Sequence, residues 1–301
     1  MGVKIVRLIA IAFAGLAGNG AAIAQGVGAV PIIGHAEDPP ILSRHTLRYA
    51  SSEGSIDLLV PRRDRPPPLV IHLSGADFGR DAARYPTHWL PNFFFDNGYA
   101  LALVTTSPPR RIRAAGVLEE SIAAIAELVA DAERHGYDAS RIILLGEGAG
   151  GQLAALLGTD HQLLARAELA PGSIRAVLIL NGDAFDLPDR IATSPAFRRR
   201  QYERAFGSEA EDRRRLSPAA HLESPNAPMF LLYATEGLSD FAAQAAAFEA
   251  MLRRAGTAVE LEHVPQSLGA TATLIGAPQN PQSAALLDKL DRATGQQLDG
   301  N

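Results

Sequence analysis

The residues best able to do chemistry lie in 140–154, SRIILLGEGAGGQLA. Four apolar residues, 142–145, run into Gly146-Glu147-Gly148-Ala149-Gly150-Gly151 and at once into a helical pattern from Gln152. A buried strand that turns through small residues straight into a helix is how a Gly-x-Ser-x-Gly segment lifts a serine hydroxyl out of a sheet to attack an acyl carbon. The flanking glycines are needed because the central residue sits in strained backbone and the helix packs close on the strand. The centre here is Gly148, which has no hydroxyl. What such a turn retains is an anion-binding helix start, with the N–H of Ala149 among its free donors.

Nucleophilic chemistry also needs a base, and a third group to orient that base. His72 and Ser74 lie two apart at the end of the apolar run 69–73, so both could point one way, but no acid is evident to orient the imidazole. No cysteine is present, which excludes thiolate nucleophiles, disulfides and thiolate metal sites. His35, Glu37 and Asp38 fall within four positions in a Gly- and Pro-rich stretch. A solvated loop is expected there, because metal ligands need rigid support. No metal or other cofactor is expected.

The elements that must position these residues alternate. Strand-like runs at 45–50, 55–60, 69–73, 99–104, 142–145, 176–180, 229–233 and 259–264 are interleaved with helical patterns at 88–96, 118–132, 152–157, 240–255 and 283–293. Alternating β and α units with fully apolar strands imply an α/β fold, a mostly parallel sheet of about eight strands with helices on both faces. The rhythm lapses over 186–223, read as a small cap. Its arginines (Arg198, Arg199, Arg200, Arg213, Arg214, Arg215) are only partly interleaved with acids, and a solvated helical cap is the expected reading.

The N-terminus reads as a signal peptide over 1–24. Lys4 and Arg7 precede a short apolar stretch, 8–16, and Ala22-Ile23-Ala24 forms a cleavage site before Gln25. The apolar stretch is far short of the roughly 20 residues of a spanning helix, so no stable membrane insertion is expected after cleavage. Residues 25–44 read as an arm or linker, and 45–301 as one domain. The chain carries a formal charge of −5 and the mature form would be more acidic still, which argues against a nucleic-acid partner. A periplasmic or secreted location is expected.

Taken together, these segments resemble the carboxylesterase and lipase branch of the α/β-hydrolase superfamily, near its hormone-sensitive-lipase-like and feruloyl-esterase-like members. The matching runs are Gly136-Tyr137-Asp138-Ala139-Ser140-Arg141 before the elbow strand, GEGAGG at the elbow and Ser217-Pro218 before the penultimate strand. The resemblance implies an α/β-hydrolase fold and assigns positions. The nucleophile falls on Gly148. The acid falls on Gly237, in a register set by Phe241 and Gln244. The base falls on Gly269, in a run beginning Val264-Pro265. Oxyanion donors fall on the N–H groups of Ser74, Gly75 and Ala149, where His72-Leu73-Ser74-Gly75 stands for the family's His-Gly-Gly-Gly. His72 and Glu147 become structural or pocket residues, and His263 a strand residue. Glu236, Asp240 and Ser267 stand near the vacated positions. The expectation is a catalytically inactive esterase relative that binds a small carboxylate or acyl ligand, or acts as a scaffold. The rival is an active carboxylesterase with relocated catalytic residues.

Overall fold

Five apolar strands lie at the centre of one eight-stranded sheet. The strands are β1 (Ser43–Leu47), β2 (Ser55–Val60), β3 (Pro68–Leu73), β4 (Ala100–Thr105), β5 (Asp138–Glu147), β6 (Ile174–Leu180), β7 (Met229–Thr235) and β8 (Val259–Val264). Their order across the sheet is β1-β2-β4-β3-β5-β6-β7-β8. The β1–β2 and β2–β4 pairs are antiparallel, and every pair from β4–β3 to β7–β8 is parallel. The expected mostly parallel α/β sheet of about eight strands is therefore present. This computed structural model describes residues 43–47, 54–74, 90–107, 113–223, 226–237, 240–265, 275–277 and 280–296. Residues 1–42, which include the signal-like segment and the His35, Glu37 and Asp38 group, lie outside them. Ser43 and Arg44, read as the end of the arm, belong to β1.

The helices are α1 (Leu90–Asp96), α2 (Ala114–Ala130), α3 (Ala132–His135), α4 (Ala149–Thr159), α5 (His161–Arg166), α6 (Leu187–Thr193), α7 (Ala196–Phe206), α8 (Ala210–Arg215), α9 (Phe241–Arg254) and α10 (Pro281–Thr294). The helix expected over 118–132 is two, separated at Asp131. Helix α5 was not foreseen. It begins at Asp160, whose carboxylate accepts the N–H of Gln162 at 3.0 Å and so caps a short helix.

The core explains the apolar runs. Leu69, Ile71, Ile142, Leu144 and Val177 have no exposed surface, nor do Ile125 and Leu128 of α2, Leu157 of α4 and Phe248 of α9. Side chains alternate across a strand, so a strand covered on both faces is apolar on both, with His72 of β3 the buried polar exception. Helix α4, entirely buried, packs against β5 and β6, and small residues permit this. A Cβ on Gly146 would stand 2.1 Å from the Gly150 carbonyl oxygen, and one on Gly151 would stand 2.9 Å from Ile179 Cγ2. Three of the four glycines in Gly-Glu-Gly-Ala-Gly-Gly thus serve or flank the strand–helix contact. No helix among the described residues is long and apolar enough to cross a membrane.

Candidate functional site

Chain order reverses between β3 and β5. From β3 the chain passes to β4 on one side, then crosses to β5 on the other. In open parallel sheets a crevice forms outside the carboxyl ends of the strands at such a switch. The carboxyl end of β3 carries His72-Leu73-Ser74 and that of β5 carries Glu147-Gly148-Ala149. Topology therefore brings together two segments 75 positions apart that the sequence had singled out separately.

At the end of β5 the elbow is formed. Gly148 has φ 54° and ψ −116°, a region where a side chain is costly. Its N–H donates to the Leu180 carbonyl at 3.0 Å, and its own carbonyl accepts the Gln152 N–H at 3.2 Å. That second bond is the first of helix α4, so the N–H groups of Ala149, Gly150 and Gly151 precede the helical ladder. Ala149 is 8% exposed. Glu147 is half-buried as the last residue of β5.

The loop after β3 is arranged differently from a free oxyanion donor. Both the N–H and the Oγ of Ser74 donate to the Val104 carbonyl, at 3.3 and 2.8 Å. That hydroxyl is tied to the end of β4, so in this arrangement Ser74 offers neither a free nucleophile nor a free amide donor. Gly75 lies outside the described residues. His72 sits inside the sheet between Leu103 and Leu145, and burial lowers its pKa to about 4. It is therefore neutral near pH 7.

This has a measurable consequence. A base whose folded-state pKa lies below its unfolded value is protonated more readily after unfolding, so stability rises with pH between the two values. For His72 the contribution is complete above about pH 6.5 and is lost as pH falls toward 4. The size is about 3 kcal/mol. His72→Leu is expected to flatten that part of the stability–pH profile, read by urea unfolding at pH 4.5, 5.5 and 7. An unchanged profile in the variant would show that His72 does not contribute.

Around the acid position the structure shows contacts that sequence reasoning missed. Gly237, which the resemblance gives to the acid, lies exposed in the turn after β7 with φ 72°. Asp240 begins α9 and is engaged by Arg190 of α6, through Nη2 at 2.9 Å and through Nη1. The same guanidinium reaches Asp183 in the loop after β6, with Nε at 2.7 Å from Oδ1 and Nη2 at 3.1 Å from Oδ2. Tyr202 of α7 donates its hydroxyl to Asp183, accepts from Arg190 Nε at 3.1 Å and lies under the guanidinium, 5.6 Å from ring centre to Cζ. Arg190 and Asp183 are 4% and 2% exposed. Burial alone would lower the Arg190 pKa, but the carboxylates of Asp240 and Asp183 outweigh it and raise it. Asp240 is thus engaged by the cap through Arg190. No signal in the sequence set Arg190 apart, since it lies in the segment 186–223 where the strand–helix rhythm lapses.

Glu236 faces His263, with Oε1 3.8 Å from Nδ1 and both side chains about half exposed. His263 is on β8, as read from sequence, yet it has the acid loop as its neighbour. Gly269 and Ser267 lie outside the described residues. Among the described residues no group of three or more His, Asp or Glu side chains could hold a metal. A cleft of about 910 Å³ lies at the far end of α4, with Thr159, Asp160 and His221 in its wall. It is a helix length from the elbow, about 16 Å, and is a separate feature.

The BD-FAE family model matches residues 56–248. Solved structures share the fold. Esterase B from Lactobacillus rhamnosis is 17% identical, with 86% of this chain and 89% of that chain covered and a TM-score of 0.69. Carboxyl esterase 2 from the fungus Tuber melanosporum is 16% identical, with 87% and 90% covered and a TM-score of 0.66. A bacterial heroin esterase is 20% identical, with 86% and 87% covered and a TM-score of 0.63. No curated protein matches the chain in sequence.

Proposed function

The chain belongs to the BD-FAE family, on the esterase branch of the α/β-hydrolase fold, and from that premise we propose that it is an exported esterase relative that binds a small carboxylate or acyl ligand without hydrolysing it. One observation carries this reading. The elbow is built in full at the carboxyl end of β5, with its backbone turn and its α4 N-terminus, and its apex is Gly148, with φ 54° and no side chain. An acyl carbon held there meets no hydroxyl. The donors that would have faced its oxygen remain on α4, and a carboxylate oxygen can occupy the space a serine side chain would have filled. Asp240 is held by Arg190 and Ser74 by Val104, which supports binding over a displaced triad.

One experiment addresses nucleophile and export together. Intact mass of the protein from an exporting host, after treatment with a fluorophosphonate, should correspond to residues 25–301 with no phosphonyl adduct. Short-chain carboxylates at millimolar concentration should raise the melting temperature, since ligand binding to the folded state adds stability by mass action. A stoichiometric adduct would overturn the non-hydrolytic reading, a retained 1–24 segment would overturn export, and no thermal shift would overturn carboxylate binding.

A second reading rests on the Glu236–His263 contact at 3.8 Å, a carboxylate beside an imidazole at the carboxyl ends of β7 and β8. Under that reading the pair supplies acid–base chemistry to a hydrolase with a relocated nucleophile. Ester hydrolysis that is abolished by His263→Gln would favour it.

A further inference from the structure

Helix α7 carries an outward stripe of one aromatic and two basic side chains. Tyr202 and Phe206 are its buried side. At 3.6 residues per turn, Phe197, Arg200 and Arg204 fall together on the opposite side, at i, i+3 and i+7. All three are exposed. Phe197 is 69% exposed and is the one large apolar side chain so placed among the described residues. The Arg198 guanidinium lies over its ring, 6.0 Å from the centre. Arg198, Arg199, Arg200 and Arg204 make no ion pair among the described residues, whereas Arg214 and Arg215 of α8 pair with Glu211 and Asp212. Over 196–215 there are seven arginines and four acids, in a chain whose total charge is −5.

A solvated helix would explain arginines on a surface, and a single exposed phenylalanine needs no explanation by itself. Neither explains an aromatic ring and two unpaired guanidinium groups on one stripe with no acid inside it. Glu203, the one acid of the helix, falls off the stripe toward its edge. We propose that this stripe is a peripheral docking surface for an anionic phospholipid bilayer, with Phe197 entering the headgroup layer and Arg200 and Arg204 meeting phosphate oxygens. The ring decides between partners. A soluble polyanion would use the arginines but gain little from Phe197, whereas an interfacial helix uses both. The acidic remainder of the chain does not prevent contact, because charges further than about 8 Å are screened at physiological ionic strength. Repulsion of that remainder would instead fix the orientation. The cap is tied by Arg190 and Tyr202 to Asp183 at the carboxyl end of β6, so docking through α7 places the bilayer on the same end of the sheet as the elbow.

The test is flotation of the full chain with vesicles of 70% phosphatidylcholine and 30% phosphatidylglycerol, compared with pure phosphatidylcholine, at 50 and 300 mM NaCl. Each arginine near an anionic surface is worth about fivefold in binding. R200E/R204E is therefore expected to lose at least twentyfold on the anionic vesicles, F197S about threefold, and the parent most of its binding at 300 mM NaCl. The same comparisons are made with the chain from Gln25 onward, so that any binding by residues 1–24 is read separately. Melting temperatures should stay within a degree or two, since all three residues are exposed, and the variants therefore report binding and not folding. Equal binding to both vesicle types, or unchanged binding by R200E/R204E, would overturn the proposal. So would salt-sensitive binding to heparin without binding to vesicles, which would identify a soluble polyanion as the partner.

Discussion

Gly148→Ser, Gly237→Asp and Gly269→His introduced together are expected to raise hydrolysis of a short ester such as p-nitrophenyl acetate by about a thousandfold over the parent, whereas Gly148→Ser alone should gain less than about tenfold. In a serine triad the nucleophile and base act as a unit, each useless without the other, and the full set is worth about a millionfold. Ser74 shows why the complete gain is not expected. Its N–H is engaged by Val104, and one missing oxyanion donor costs about a hundred- to a thousandfold. The backbone at 237 has φ 72°, a conformation Asp tolerates better than most residues. Serine at φ 54° and ψ −116° should cost about 1–3 kcal/mol, visible as a lower melting temperature. A folded triple variant no faster than the parent would show that the acid and base positions are misassigned. Strong activity of the single Gly148→Ser variant would show that a base already stands in reach, with His263 beside Glu236 the first to replace.

Arg190→Met is expected to destabilise the protein by about 3–5 kcal/mol, because it leaves Asp183 buried without its cation. Asp183 is 2% exposed and depends on Arg190 Nε at 2.7 Å and on the Tyr202 hydroxyl. Asp240→Asn should cost less than about 1 kcal/mol, since that carboxylate has water to turn to; its side chain is 45% exposed. The contrast separates a buried ionic core from a partly wet contact to the same guanidinium. Chemical denaturation of the two variants reads it directly. Equal losses would mean that the Asp240 contact carries the clamp, and that the cap is held from α9 rather than from the loop after β6. Loss of carboxylate-induced stabilisation in Arg190→Met, at a temperature where it remains folded, would further tie the cap to the site.

What the sequence determined by itself was the architecture and the elbow. Strands buried on both faces cannot carry polar residues without cost, so 142–145 and 176–180, and 69–73 apart from His72, are legible as central strands from composition. The elbow was legible because Gly146 and Gly151 have no alternative at the strand–helix contact, where an added Cβ meets backbone or Ile179 within 3 Å. Local steric demands of this kind are written in local sequence.

Only the tertiary structure decided which polar residues are already in use. Asp240 is three residues from Gly237 and looks available in the sequence. It is occupied by an arginine fifty positions away, on a cap whose sequence shows no period that fixes its docking. Ser74 was a candidate donor until β4, thirty residues on, supplied the Val104 carbonyl. His263 read as a strand residue, and its neighbour Glu236 came from the turn after the adjacent strand β7. An ion pair or hydrogen bond forms between groups that the fold brings together, and its energy depends on burial and geometry at that point. Neither quantity is a property of residue type or spacing. The chain could therefore state where its site would stand, and only the packed sheet could state which side chains remain free within it.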